Sequence, residues 1–304
     1  MCNRKQINNL ITEPLIQNID AFDGSEKLLI DVLRLDNVHH IVSGNKWYKL
    51  KYYLKSAKEN HCNSIATFGG AYSNHIVATA FACDKLGFKS IGIIRGDKPD
   101  KLSHTLQDAE SFGMDLIFVS REDYKNKNLI AEQYSNPEYY VIPEGGYGEL
   151  GAKGASEILA SVKESEKYTH IICSCGTGTM IAGIIQSATK HQTVIGINSL
   201  KGYPQIEQDI RKILPKDFNE CNFEIFNEYH FGGYAKKTSQ LIAFMNKLYL
   251  ENNIPTDMVY SSKLFFAVDD LISKKYFSIN SRLLVINCGG LQGNLSLPKG
   301  TLIF

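Results

Sequence analysis

The sequence predicts an α/β protein with mostly parallel sheets, on three observations. From about residue 64 onward, short apolar runs alternate with stretches of helical periodicity. The runs are rich in isoleucine and valine and each is followed by a helix, the signature of βαβ units in sheets covered on both faces. No low-complexity linker or internal repeat interrupts them, and 304 residues suit two domains or one large one.

The first helix is expected to begin within SGNKWYKLKYYLKSAK, residues 43–58. At about 100° per residue, Lys46 lines up with Leu50, Tyr53 and Ala57, while Trp47, Leu50 and Leu54 form an apolar stripe. Lys51, Lys55 and Lys58 project from the opposite side and read as a solvated face. Lys46 is therefore expected at the buried edge of the helix. Strands are expected at 64–70, 89–96, 115–121, 139–146, 170–176, 193–200, 223–227 and 282–290. The intervening helices are expected at 73–87, 103–113, 151–165, 177–190, 204–214 and 237–253. The glycines of EGGYGELG, residues 144–151, mark a crossing between two α/β lobes.

Composition excludes several functions. Lys plus Arg is 33 and Asp plus Glu is 32, so the net charge of +1 gives no basic surplus for nucleic acid or an anionic membrane. No segment reaches the roughly 18 uninterrupted apolar residues of a membrane span, and the first residues lack the core of a secretion signal. Seven cysteines, an odd number spread through core elements, suit reduced thiols in a cytoplasm. Cys173 and Cys175 have no second ligand pair nearby, so no metal site is expected.

Two glycine turns carry chemistry. In HIICSCGTGTMIAGII a strand runs through Gly176, Thr177, Gly178 and Thr179 directly into a helix. Converging N–H groups, a helix N-terminus and two hydroxyls suit a phosphate monoester, although a plain tight turn has the same outline. The Gly-Lys-Ser or Gly-Lys-Thr of a P-loop is absent and the dinucleotide fingerprint is incomplete, so one small phosphate fits better than a nucleotide. In TFGGAYSNHIVATAFACDKLG, Ser73, Asn74 and His75 open a helix after Gly69 and Gly70. Ser73 or Asn74 can cap it, and the same groups can hold a carboxylate, with His75 able to steer an anion.

Gly44-Asn45-Lys46, then Ser73-Asn74-His75, then the 176–179 loop resemble, in that order, the pyridoxal-phosphate enzymes of the tryptophan-synthase-β-like fold. More narrowly they resemble the group containing 1-aminocyclopropane-1-carboxylate deaminase and D-cysteine desulfhydrase. The likeness runs from TEPLIQ to NCGG. It implies two doubly wound, mostly parallel domains with the cofactor in the cleft between them, residues 1–47 with 153–304 forming the larger and 48–152 the smaller.

The resemblance also assigns roles. Lys46 would bond covalently to the cofactor's aldehyde carbon, which requires an unprotonated amine and hence burial. It would then take the substrate's α-proton. Asn74 would touch the cofactor's phenolic oxygen, and Ser73 and His75 would lie beside the substrate carboxylate. Gly176, Thr177, Gly178 and Thr179 would cradle the phosphate. Tyr234 and Tyr260 would be the active-site tyrosines, effective in moving protons if their pKa is lowered; with Ser73 and Lys46 they complete the catalytic set. Ser261 or Cys288 would face the pyridine nitrogen.

The implied reaction is elimination from a small amino acid, D-cysteine to pyruvate, hydrogen sulfide and ammonia. His75 and Ser261 match the desulfhydrase, where the deaminase has glutamine and glutamate. Met258, Ser262 and Cys288 depart from the family pattern of proline, glycine and threonine. The alternative activity is 1-aminocyclopropane-1-carboxylate deamination; a protein binding the cofactor or an amino acid without turnover is an alternative of another class. A homodimer follows from the resemblance alone.

Overall fold

The computed structural model describes residues 11–20, 22, 28–134, 136–216 and 221–304. Two sheets organise it. A six-stranded sheet has the order β1-β2-β10-β7-β8-β9, with β1 Leu15–Asn18, β2 Leu29–Arg34, β7 His170–Cys175, β8 Thr193–Asn198, β9 Asn222–Phe226 and β10 Arg282–Asn287. Among the described residues, only β1 runs antiparallel to its neighbour. A four-stranded, wholly parallel sheet has the order β5-β4-β3-β6, with β3 Ser64–Gly69, β4 Lys89–Arg95, β5 Met114–Val119 and β6 Tyr139–Ile142.

All eight expected strands are present. Strands β1 and β2 lie before residue 64, where the regular alternation of apolar runs and helices begins. Strand β2, LIDVLR, carries two charges that hide its apolar run. Asp31 is buried because it accepts the Tyr168 hydroxyl at 2.6 Å, and Arg34 because it pairs with Asp36.

The helices are α1 Lys46–Glu59, α2 Asn74–Leu86, α3 His104–Ser111, α4 Lys127–Glu132, α5 Glu149–Ala160, α6 Thr179–Ser187, α7 Ile206–Lys212, α8 Ser239–Asn252 and α9 Ser261–Ser273. The short α4 and the longer α9 were not anticipated. Helix α9 buries Leu264, Phe265, Val268, Leu271 and Ile272 at helical spacing, but it opens on Ser261, Ser262 and Lys263, polar residues that read as a loop. Helix α1 forms as its pattern dictates: Trp47, Leu50 and Leu54 enter a core with Ile65, Ala78 and Ile142 of the smaller sheet layer. Part of its opposite side is also covered, since Tyr48 joins the core around α5, α6 and the larger sheet, while Lys55 and Lys58 stay exposed as expected. Lys51 consequently pairs with Glu157 of α5 and is only partly exposed.

Residues 144–148 carry the chain from β6, the last strand of the smaller sheet, into α5, which packs on α6. Among the described residues, no helix is long and apolar enough to cross a membrane.

Candidate active site

Parallel sheets collect ligands beyond the carboxyl ends of their strands, where the strand order reverses. Here β3, β7 and β10 end around one cavity of about 780 Å³. Its walls include Lys46, Ser73, Asn74, His75, Gly176, Thr177, Gly178, Tyr234, Tyr260 and Cys288, drawn from segments far apart in sequence.

The start of α1 is held by backbone contact with the end of β10. Asn45 N–H donates to the Cys288 carbonyl at 3.2 Å, and Gly44 N–H to the Leu35 carbonyl at 2.7 Å. Gly44 has φ of +75°, and a Cβ on it would stand 1.5 Å from the Cys288 oxygen, so only glycine permits the approach. The approach fixes Lys46, whose Nζ donates to Asn45 Oδ1 at 2.8 Å. Burial lowers the Lys46 pKa, against smaller opposing effects of Cys288 and Asp257. The amine is thus enclosed and biased toward the neutral form.

A second lysine was missed. Lys49 is buried, lines the same cavity and reaches the Gly145 carbonyl at 3.4 Å. Burial first, and then Lys46, push its pKa well down. The signal was present: three residues on from Lys46, it lies only about 60° round the helix.

The two glycine turns present unused donors. Ser73 caps α2, its Oγ accepting from Ile76 N–H at 3.3 Å. The N–H groups of Asn74 and His75 find no acceptor among the described residues. At the other turn the N–H groups of Thr177, Gly178, Thr179 and Met180 are likewise without acceptors. Gly178 has φ of +79°, as the curl of the turn requires. The Thr179 side chain lies behind the wall, its hydroxyl 2.9 Å from that of Thr177. Asn74 donates one amide hydrogen to the Gly290 carbonyl at 2.9 Å, leaving its second free and its Oδ1 buried and unpartnered.

His75 differs from expectation. It is 1 % exposed, and burial drops its pKa to about 3, with Lys46 and Lys49 adding to the effect. A neutral ring does not attract a carboxylate by charge, so the anion-steering role expected of it is not available. Its tautomer follows from its neighbours. Thr67 donates its hydroxyl to the Ile142 carbonyl at 2.8 Å, so its oxygen can only accept from His75 Nε2, also 2.8 Å away. Nδ1 is therefore a bare, buried acceptor.

The tyrosines also depart from expectation. Tyr234 and Tyr260 meet edge to face, ring centroids 6.1 Å apart. Burial raises both pKa values, that of Tyr260 far more. Neither is lowered, so both phenols keep their protons. Of the two candidates for the pyridine nitrogen, Cys288 lines the cavity, its Sγ 3.3 Å from Ser174 Oγ. Ser261 does not: its hydroxyl donates to Asp257 Oδ2 at 2.7 Å and accepts from the Asp257 N–H at 2.7 Å.

These features fit pyridoxal phosphate. The 176–179 turn offers backbone donors to a phosphate, the enclosed amine of Lys46 suits an aldehyde carbon, and the free amide hydrogen of Asn74 suits a phenolic oxygen. Close packing of glycine keeps the space open: a Cβ at Gly176 would lie 2.9 Å from Tyr260 Cε1.

Comparison with known proteins agrees. The bifunctional D-cysteine desulfhydrase/1-aminocyclopropane-1-carboxylate deaminase of Arabidopsis thaliana is 27% identical, over 83% of this chain and 70% of its own. A 1-aminocyclopropane-1-carboxylate deaminase of Bradyrhizobium is 25% identical over 82% of both chains. The crystal structure of an ACC deaminase homologue superposes with a TM-score of 0.79 over 95% of both chains, at 24% identity, and shows the shared fold. Residues 24–289 match the family described as pyridoxal-phosphate dependent enzyme, and the chain belongs to that family.

Proposed function

We propose that the protein is a lyase that eliminates a β-leaving group from a small amino acid, with D-cysteine as the substrate to test first. D-Cysteine and water would give pyruvate, hydrogen sulfide and ammonia, which balances without an added oxidant or reductant. The observation that carries the reading is the enclosed Lys46 amine, set in one cavity with the 176–178 turn and two protonated phenols.

When bound, the cofactor supplies an electron sink for charge developing at the substrate's Cα. The residues supply the rest. The free N–H groups of Asn74 and His75, at the positive end of α2, receive the substrate carboxylate. Lys49 and the N–H groups of the 177–180 turn donate hydrogen bonds to the phosphate. Lys46 Nζ takes the α-proton as its neutral amine. Tyr260 and Tyr234, holding their protons, donate toward the departing sulfur, which leaves more readily as it is neutralised. Cys288 takes the place facing the pyridine nitrogen, a neutral and weakly donating partner. That suits loss of a good leaving group.

Ring-opening deamination of 1-aminocyclopropane-1-carboxylate is the second reading, supported by the Bradyrhizobium relative. We further propose that residues 48–152 form the smaller lobe, that two copies associate, and that the protein works in the cytoplasm.

A substrate panel tests the function. Keto acid is measured from D-cysteine, L-cysteine and the cyclopropane amino acid, with wild type and Lys46→Ala. We expect pyruvate from D-cysteine, lost at least 10³-fold in Lys46→Ala, and borohydride fixation of the cofactor in wild type only. No keto acid from any of the three, with cofactor bound, would make the protein a silent binder.

A further inference from the structure

One buried charge is unused by this chemistry. Lys263, in the first turn of α9, is 0 % exposed, yet no carboxylate pairs with it among the described residues. The nearest acid to act on it, Asp257, is saturated. Its Oδ1 accepts from the N–H groups of Val259 and Tyr260, and its Oδ2 from the N–H and hydroxyl of Ser261. Burial brings the Lys263 pKa down to about 8, which still leaves an ammonium at neutral pH.

That ammonium is satisfied by backbone alone. Nζ donates to the Gly233 carbonyl at 2.8 Å and reaches the Ser199 carbonyl at 3.5 Å. An apolar side chain of the same length would fill the site without the desolvation cost of a lone charge. The lysine therefore weakens the fold unless its two carbonyls need holding.

Gly233 immediately precedes Tyr234, and Ser199 immediately follows β8. The segment 230–237 belongs to neither helix nor strand. Four of its residues, Phe231, Gly232, Gly233 and Ala235, have positive φ. Its own backbone bonds are two, from Gly233 N–H to the His230 carbonyl and from Lys236 N–H to the Gly233 carbonyl. It docks instead on α9: Phe231 packs edge to face on Phe266 at 4.8 Å, and Tyr234 on Tyr260, the residue before the helix. Tyr234 is otherwise half exposed at the cavity wall, with 51 % of its surface accessible.

We propose that Lys263 is a positioning residue, tying the Gly233 carbonyl to the end of β8 so that the Tyr234 hydroxyl is held against Tyr260 over the substrate. This rests on the reading that Tyr234 serves the reaction. The tie itself does not, since it can be measured without turnover.

The test uses holoenzyme carrying Lys263→Met, which keeps the chain length and removes the donors, together with Tyr234→Phe and the double variant. Amide hydrogen exchange of 230–237 is compared with that of β7 and β8, and kcat and KM are measured for D-cysteine. Cofactor binding is followed by absorbance. We expect exchange in the segment to rise roughly tenfold while the two strands are unchanged. We expect kcat to fall about as far as in Tyr234→Phe, with cofactor affinity retained. In the double variant Lys263→Met should cost nothing more, because its effect passes through the same hydroxyl.

Unchanged exchange in 230–237, or losses that multiply in the double variant, would overturn the proposal. Faster exchange in a protein that releases no keto acid would retain the tie and sink the lyase reading instead. If Lys263→Met does not fold, Lys263→Gln, which keeps a shorter donor, is taken through the same comparisons and judged by the same outcomes.

Discussion

His75 shows how much of a residue's role is set by its neighbours. Its ring is neutral because it is buried and because two lysines stand near, and its folded pKa of about 3 lies well below the ordinary value of 6.5. The unfolded chain therefore binds the proton more tightly. Stability tied to the neutral ring is fully present above the ordinary histidine range and is lost as pH falls toward 3. At pH 5 the loss is about 2 kcal/mol. Urea midpoints of apoprotein at pH 7 and pH 5 measure it. His75→Gln keeps a donor for Thr67 and cannot titrate, so it should lose about 2 kcal/mol less than wild type between the two. Lys46 was legible at this scale because helical phase and the Gly-Asn-Lys motif pointed to one residue. The state of His75 was not, because it depends on Thr67 and Ile142, eight and 67 positions away, and on burial that no local pattern displays. The state of Tyr260 was hidden for the same reason, since nothing local displays its burial; Tyr234 stays half exposed and is raised less.

At the scale of elements, close helix packing decides where the two cavity lysines stand. Gly154 of α5 lies against the backbone of α1, and a Cβ there would come within 1.8 Å of the Tyr48 carbonyl oxygen. Neither helix backbone can yield without moving the segment that carries Lys46 and Lys49. Gly154→Ala should therefore destabilise by about 1–3 kcal/mol and also weaken cofactor affinity, whereas Ser156→Ala on the same helix should stay within about 0.5 kcal/mol. Denaturant unfolding and cofactor titration of both variants check this. Elements with a strong period or an unbroken apolar run were readable: α1, α2 and the strands β3 to β10. Helix α9 was not, although its apolar stripe is at least as marked as that of α1 or α2, because it opens on polar residues that are nonetheless buried. Among them are Ser261, Ser262 and Lys263, whose polar starts suggest a loop. That omission concealed the platform under Tyr234 and Tyr260.

Across the whole molecule, the cavity joins the ends of two sheets that share no strand. Asn74 and His75 follow β3 of the four-stranded sheet, while Gly176 to Gly178 and Cys288 follow β7 and β10 of the six-stranded one. The sequence indicated parallel sheets and the order of the motifs, but the meeting of the two sheet ends depends on long-range packing through α1, α5 and α6. A ligand that touches both ends should stabilise both against separation; one that occupies a single turn should not. Pyridoxal phosphate at about 100 times its Kd contributes about 2.7 kcal/mol to the folded state, which for a chain of this size is a rise in Tm of roughly 4 °C. On the proposed reading, inorganic phosphate would satisfy only the donors at 177–180, and pyridoxal without phosphate would leave them bare. We expect either alone, at the same concentration, to raise Tm by less than a third of the full cofactor's effect, and the two together still to fall short of it, because only the intact molecule carries one contact rigidly to the other. Thermal unfolding of apoprotein with each ligand measures the three shifts. Equal shifts from phosphate and from pyridoxal phosphate would mean that the turn binds its anion without engaging Lys46 or the smaller sheet.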